Sequence, residues 1–169
     1  MDVIYLDFCK AFDKVPHQRL LLKLKSYGIT GNLYNWIQDF LIGRTQRVVL
    51  NGKMSEWRNV NSGIPQGSVL GPILFLVYIN DFPDCTTCLI KLFAADSKLY
   101  SKVNTPAQAE SLQQNLFLAE DRANKWQMFF NAKICKQLHI GRNDIGFQYK
   151  MHSNGNEIPL EKVSNECDL

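Results

Sequence analysis

Met1-Asp-Val-Ile-Tyr-Leu-Asp-Phe8 decides the fold class. Val3, Ile4, Tyr5, Leu6 and Phe8 are apolar with only rough alternation, the pattern of a strand buried on both faces. Asp7 stands near its C-terminal end. Such a strand needs neighbours on both sides and a covering layer, which the rest of the chain must supply.

Working outward, Leu20, Leu21, Leu24 and Tyr27 fall on one side of a helix that starts at Pro16, with Gly28 in the stop position. Leu33, Trp36, Ile37, Phe40 and Leu41 follow at i, i+3, i+4, i+7 and i+8, which predicts a second helix and so a helical pair over a sheet. Arg44 to Leu50 and Lys53 to Val60 flank Asn51-Gly52, the signature of a type I′ hairpin. The turn-rich loop from Asn61 to Ser68 opens into an apolar helix over Val69 to Asn80. Leu89 to Ala94 and Lys98 to Val103 read as a tight hairpin joined through Ala95, Asp96 and Ser97. Thr105-Pro-Ala-Gln108 is a capping box for a helix that carries Ala109, Leu112, Leu116, Ala119, Ala123 and Trp126 on one stripe. Phe129 to Ile140 and Phe147 to Met151 read as closing strands. The pattern predicts one α+β domain over residues 1–169, a mainly antiparallel sheet with helices on one face.

The chain has 169 residues, 46% hydrophobic and 21% charged, which excludes disorder as its overall state. Its longest apolar stretch is interrupted by Pro72 and ends at Asn80 and Asp81, too short for a membrane span. Asp2 and Asp7 stand where an export signal needs a basic segment and then an apolar one, so the expected location is intracellular, nuclear or cytoplasmic. Nineteen Lys and Arg against sixteen Asp and Glu leave +3, which permits nucleic-acid contact without arguing for it. Five cysteines in such a chain read as reduced thiols. Cys85 and Cys88 form a lone C-x-x-C without the second pair a structural zinc site needs. Arg44, Arg47, Lys53 and Arg58, interleaved with Val48, Val49 and Trp57, suit a phosphate backbone and equally a solvated hairpin face.

Three segments carry chemistry together: Tyr5-Leu-Asp-Phe-Cys-Lys-Ala-Phe-Asp-Lys-Val15, Ser62-Gly-Ile-Pro-Gln-Gly-Ser-Val-Leu-Gly-Pro72 and Phe93-Ala-Ala-Asp96. In order and spacing they resemble motifs A, B and C of the reverse transcriptase domain of non-LTR, LINE-like retrotransposons. Trp126-Gln-Met128, Phe130-Asn131 and Leu138-His-Ile-Gly141 resemble the motif D region, and Tyr149 to Leu169 the start of the primer grip. The resemblance implies a polymerase palm, an RNA template, a DNA primer, deoxynucleotide triphosphates, and Mg²⁺ or Mn²⁺ for two-metal nucleotidyl transfer. It makes Asp7 and Asp96 metal ligands and catalytic carboxylates, sets Phe12 under the incoming sugar, and lays Gln66 and Gly67 along the nucleotide and template. Phe12 is also readable as a core aromatic.

Two positions depart from the family pattern. Ala95 stands where motif C has its first aspartate, and Ile134 where motif D has a lysine that protonates pyrophosphate. Both substitutions predict an inactive or severely impaired copy. The extent of the resemblance implies a palm truncated at both ends, without fingers, thumb or endonuclease. The alternative is a non-catalytic nucleic-acid-binding or interaction domain of the same descent. A chance match by an unrelated α+β domain would need three spaced motifs to coincide.

Overall fold

The computed structural model describes residues 1–153 and 155–164. In chain order its elements are β1 (Asp2–Asp7), α1 (His17–Ser26), α2 (Gly31–Leu41), β2 (Thr45–Gln46), β3 (Val49–Leu50), β4 (Lys53–Met54), β5 (Arg58–Asn59), α3 (Leu70–Ile79), β6 (Leu89–Phe93), β7 (Asp96–Ser101), α4 (Pro106–Lys125), β8 (Lys136–His139), β9 (Lys150–Ser153), β10 (Asn156–Pro159) and β11 (Glu161–Val163). They form two compact units, one of Met1–Cys9 with the chain from Asn80 onward, the other Lys10–Ile79. The class is α+β and palm-like, with mostly antiparallel pairing.

The first unit is built on a five-stranded sheet in the order β11-β8-β1-β7-β6, with only the β11–β8 pair parallel. β1 occupies the centre, as its unbroken apolar run requires, and Ile4 and Leu99 across from it are fully buried. Phe8 leaves β1 into a ring cluster, stacked on Phe130 at 4.5 Å and edge-on to Phe82 at 5.7 Å. α4 starts at Thr105, whose hydroxyl accepts from the Gln108 N–H, and buries Ala109, Leu112, Leu116, Ala119 and Ala123. That is the stripe read from the sequence.

The same helix also holds β9 by polar side chains. Gln113 donates to the Lys150 carbonyl and accepts from its N–H, both at 2.8 Å, and Glu120 accepts from the His152 N–H at 2.7 Å and its ring at 3.0 Å. Residues seven apart on one helix face thus satisfy backbone groups of β9. Glu120→Ala is expected to lower unfolding stability by about 1 kcal/mol in urea titrations, because it removes the acceptor of a part-buried backbone N–H. Glu120→Gln, which keeps an acceptor, should lose less.

Several sequence expectations need correction. Phe129 to Ile140 is not one strand: Phe130 bridges Phe8, then the Ile134 and Cys135 N–H groups turn back to the Asn131 carbonyl, and only Lys136–His139 pair regularly. Asn at the first position of a turn explains the break. The β6–β7 turn is Ala94-Ala95 rather than Ala95 to Ser97, so Asp96 is not in the turn but the first residue of β7, two residues before the strand start that was read, and pairs across the hairpin with Phe93. β10 and β11 were not foreseen. The last residues of the primer-grip resemblance, 165–169, lie outside the described residues.

In the second unit α1 packs against α2 and α3. Leu20, Leu21 and Leu24 are buried as the period predicts, whereas Tyr27 is exposed. On α2 only Ile37 and Leu41 are buried, and Leu33 and Trp36 remain more than half exposed. The buried Lys23 ammonium donates to the Tyr78 carbonyl near the C-terminal end of α3, where a cation suits the helix dipole. Asn51 and Gly52 take φ of 49° and 75°, the two positive values a type I′ turn needs, between β3 and β4. Among the described residues no helix is long and apolar enough to cross a membrane.

Candidate functional site

The central strands bring the two predicted carboxylates together. β1 and β7 run antiparallel with Asp7 directly opposite Asp96, each at the end of its strand. Burial raises the Asp7 proton affinity above the ordinary carboxylate range, and the Asp96 charge and a hydrogen bond to Asp96 raise it further. Two carboxylates held this close repel unless a proton or a cation sits between them. Ala95 lies in the turn one residue before Asp96 and follows Ala94, whose φ of 51° is in the left-handed region.

A pH dependence follows. A folded-state pKa above the unfolded one means that Asp7 contributes stability below the ordinary aspartate range, and that this contribution is lost as pH rises through the raised value. Without metal, Asp7→Asn is therefore expected to raise the thermal midpoint at pH 7 and to differ less near pH 4. Mn²⁺ or Mg²⁺ should stabilise the parent at pH 7 more than Asp7→Asn. Scanning calorimetry at the two pH values checks this, and equal metal effects on both proteins would sink it.

Behind Asp7, the Cys135 thiol is buried and pushed up to about 12, chiefly by desolvation, so it is no nucleophile at neutral pH. Ile134, the position of the expected motif D lysine, is exposed in the turn before it. Lys133 shares that turn rather than a strand, and Lys136 opens β8. Cys85 is pushed up to about 11 and Cys88 upward, both mainly by burial, so the C-x-x-C thiols are protonated at neutral pH.

The other predicted residues lie in the second unit. Phe12 is half-buried and stacked face to face on Phe75 at 4.5 Å. The loop from Ser62 to Ile64 runs against residues 12–16: the Gly63 N–H donates to the Val15 carbonyl at 2.9 Å, the Ile64 N–H to Phe12 at 2.8 Å, and the Ser62 hydroxyl to Asp13 at 2.9 Å. Buried His17 donates from Nε2 to the Gly63 carbonyl at 2.8 Å. His17 was not singled out in the sequence, because its partner is 46 residues away. Beyond this clamp Gln66 and Gly67 are exposed, with Gln66 donating to the Asp13 carboxylate at 3.3 Å. Ser68 then caps α3 by accepting from the Gly71 N–H at 2.9 Å.

Gly63 cannot be replaced without displacement. Its φ is 95°, and a Cβ there would lie 2.7 Å from the Asp13 carbonyl oxygen. Gly63→Ala is expected to cost about 1–3 kcal/mol by chemical denaturation. Gly67→Ala, which meets nothing within 4 Å, should cost less despite its φ of 79°. Arg44, Arg47, Lys53 and Arg58 lie on the β2–β5 hairpin, all exposed.

The family profile described as "Reverse transcriptase (RNA-dependent DNA polymerase)" matches residues 3–163. The RNA-directed DNA polymerase from mobile element jockey of Drosophila melanogaster is 35% identical over 140 residues, 78% of this chain and 15% of that protein. The probable RNA-directed DNA polymerase from transposon X-element of the same species is 30% identical over 135 residues, 76% of this chain and 15% of the relative. That from transposon BS is 30% identical over 141 residues, 78% and 16%. The chain thus spans about 15% of the length of these relatives. With a profile match over nearly its whole length and relatives from mobile elements, the chain belongs to the reverse transcriptase (RNA-dependent DNA polymerase) family, as a domain of the non-LTR retrotransposon kind.

Proposed function

We propose that this chain is the palm portion of an RNA-directed DNA polymerase, with a polymerising centre severely impaired at one of its carboxylate positions. The observation that carries the reading is the pairing of Asp7 with Asp96 at the ends of adjacent strands, with Ala95 in the turn beside them. RNA template, DNA primer and deoxynucleotide triphosphates are the proposed partners.

Two facing carboxylates fit one hard divalent cation such as Mg²⁺ or Mn²⁺. Among the described residues no group of three His, Cys, Asp or Glu side chains is placed to hold a metal, so the residues present do not fit a two-ion centre. When bound, a divalent cation stabilises charge developing on phosphoryl oxygens. The chain's own residues do the rest. Asp7 and Asp96 would hold that cation; within the other unit Phe75 braces the Phe12 ring and His17 ties down the Gly63 loop, and by the resemblance Phe12 would lie beneath the sugar and Gln66 and Gly67 along nucleotide and template. Ile134 has no proton to give to pyrophosphate.

The test is primer extension with Mg²⁺ or Mn²⁺ on three proteins: this chain, Ala95→Asp, and Ala95→Asp with Ile134→Lys. Extension by the unmodified chain at the level of the variants would overturn the impaired centre. A second reading, a nucleic-acid-binding domain without catalysis, is favoured by the fully exposed basic hairpin at residues 42–59.

A further inference from the structure

β6 forms one margin of the five-stranded sheet and is paired with β7 alone. Phe93 and Asp96 close its two-residue hairpin as a hydrogen-bonded pair, so by alternation Lys91 with Lys98 and Leu89 with Tyr100 are hydrogen-bonded pairs as well. Ile90 and Leu92 therefore turn their N–H and C=O groups outward, and no bond reaches those groups among the described residues. Two donors and two acceptors stand open in one row, the template on which another strand pairs.

The side chains beside that row have a chemistry of their own. Leu89, Lys91 and Phe93 share one face of the strand and are all exposed, Leu89 by 64% and Phe93 by 75%. Lys91 makes no ion pair among the described residues. It stands directly opposite Lys98, a like-charged cross-strand pair that opposes the fold. Lys98 has a neighbour on its other side, the Tyr5 ring, whose centre lies 5.0 Å from its ammonium group. The edge thus presents an apolar, cationic, apolar sequence of side chains with nothing across from it.

We infer that β6 is a docking edge for an extended segment of a partner protein, which adds an antiparallel strand with a carboxylate facing Lys91 and apolar side chains facing Leu89 and Phe93. Charge chooses among the occupants. A second copy of this chain could pair about a two-fold axis through Lys91, with Ile90 opposite Leu92, but that register sets two Lys91 ammonium groups face to face with a Lys98 behind each. A lysine in the middle of an edge strand keeps such like strands away. It admits a strand that brings a carboxylate, because the residue facing Lys91 forms a non-hydrogen-bonded pair, the closer kind, with Cα atoms about 4.5 Å apart. Phosphates would answer Lys91 and the outward N–H groups but have nothing to donate to the Ile90 and Leu92 carbonyls. Neither metal nor nucleotide enters this contact, so it stands or falls separately from polymerisation.

The probe is a labelled, capped peptide, Thr-Val-Thr-Glu-Thr-Val-Thr, titrated with the whole chain by fluorescence anisotropy, with amide exchange followed by NMR. Binding should slow exchange at the Ile90 and Leu92 amides. Replacing the glutamate of the peptide by lysine should weaken binding roughly threefold or more, and Lys91→Glu in the protein should reverse that preference. N-methylating the two threonines beside the glutamate, which face Ile90 and Leu92, should weaken binding roughly tenfold or more. N-methylating the glutamate itself, whose N–H points away from β6, should change binding little. Matching circular-dichroism melts of the parent and Lys91→Glu show that the variant is folded. No binding, equal affinity for the glutamate and lysine peptides, or full affinity of the doubly methylated peptide would each overturn the docking edge. So would protection of the Ile90 and Leu92 amides by rising protein concentration alone, the mark of a second copy, or by a single-stranded oligonucleotide, the mark of nucleic acid.

Discussion

Ala95→Asp is expected to raise primer extension by on the order of 10³-fold over the unmodified chain. The size follows from charge. A correctly held cation contributes several kcal/mol to stabilising the phosphoryl oxygens in the transition state, and each 1.36 kcal/mol is a decade in rate. Asp96 cannot serve both positions, because it already pairs with Asp7 across β1 and β7, while position 95 lies in the turn and successive side chains project differently. The left-handed Ala94 precedes position 95 in both proteins, so the comparison isolates the carboxylate from the shape of the turn. Two controls decide the cause. Ala95→Asn, equal in size but uncharged, should give no gain, and Asp7→Asn in the Ala95→Asp background should erase it. A gain as large in Ala95→Asn would falsify the electrostatic account.

The parts of this molecule that were legible in the sequence are those with a local signal. The apolar run of β1, the stripe on α4 and the Asn51-Gly52 turn each follow from neighbours within a few residues, and each is where the period sets it. Asp7 and Asp96 were legible because motif order stands in for distance, and the strand register then brings them face to face. What was not legible depends on partners far apart in the chain. The hydrogen bond from His17 to Gly63 spans 46 residues, and the bonds from Gln113 and Glu120 to β9 span 37 and 32. A polar residue on a helix face reads as solvated until the strand it satisfies is known. β10 and β11 are four and three residues long with mixed polar composition, so they carry no period to detect, and β9 starts at Lys150, three residues after the run read from Phe147. The hairpin turn was read too long and too late because Ala-Ala has no turn signature, and the left-handed φ at Ala94 is imposed by the ladder on either side.

Asp2→Ala is expected to remove about 3–5 kcal/mol of unfolding free energy, the cost of taking one partner from a buried charged network. Asp2 is 5% exposed at the opposite end of β1 from Asp7. One carboxylate oxygen accepts from His139 Nδ1 and the other from the Tyr149 hydroxyl, both at 2.6 Å. Burial, with the hydrogen bond to Asp2 next, raises the Tyr149 phenol far above its ordinary value, so it stays protonated and donating. His139 Nε2 is buried without a partner among the described residues, and beyond Asp2 the nearest carboxylate to its Nδ1 is that of Asp144 at 3.9 Å. Removing the carboxylate therefore strands the phenol and leaves the ring nitrogen only the more distant Asp144. A cavity of about 250 Å³ lined by Asp2, His139, Asp144, Tyr149 and Lys162 lets water reach part of the network, which sets the expected loss toward the lower end of that range. Tyr149→Phe removes one donor and leaves Asp2 its other partner, so about 1–2 kcal/mol is expected. The two changes share an acceptor and should not add: the double variant should fall short of the sum by at least about 0.5 kcal/mol. Urea unfolding of the four proteins measures this, and strict additivity would show that Asp2 and Tyr149 contribute independently rather than through one hydrogen-bonded unit.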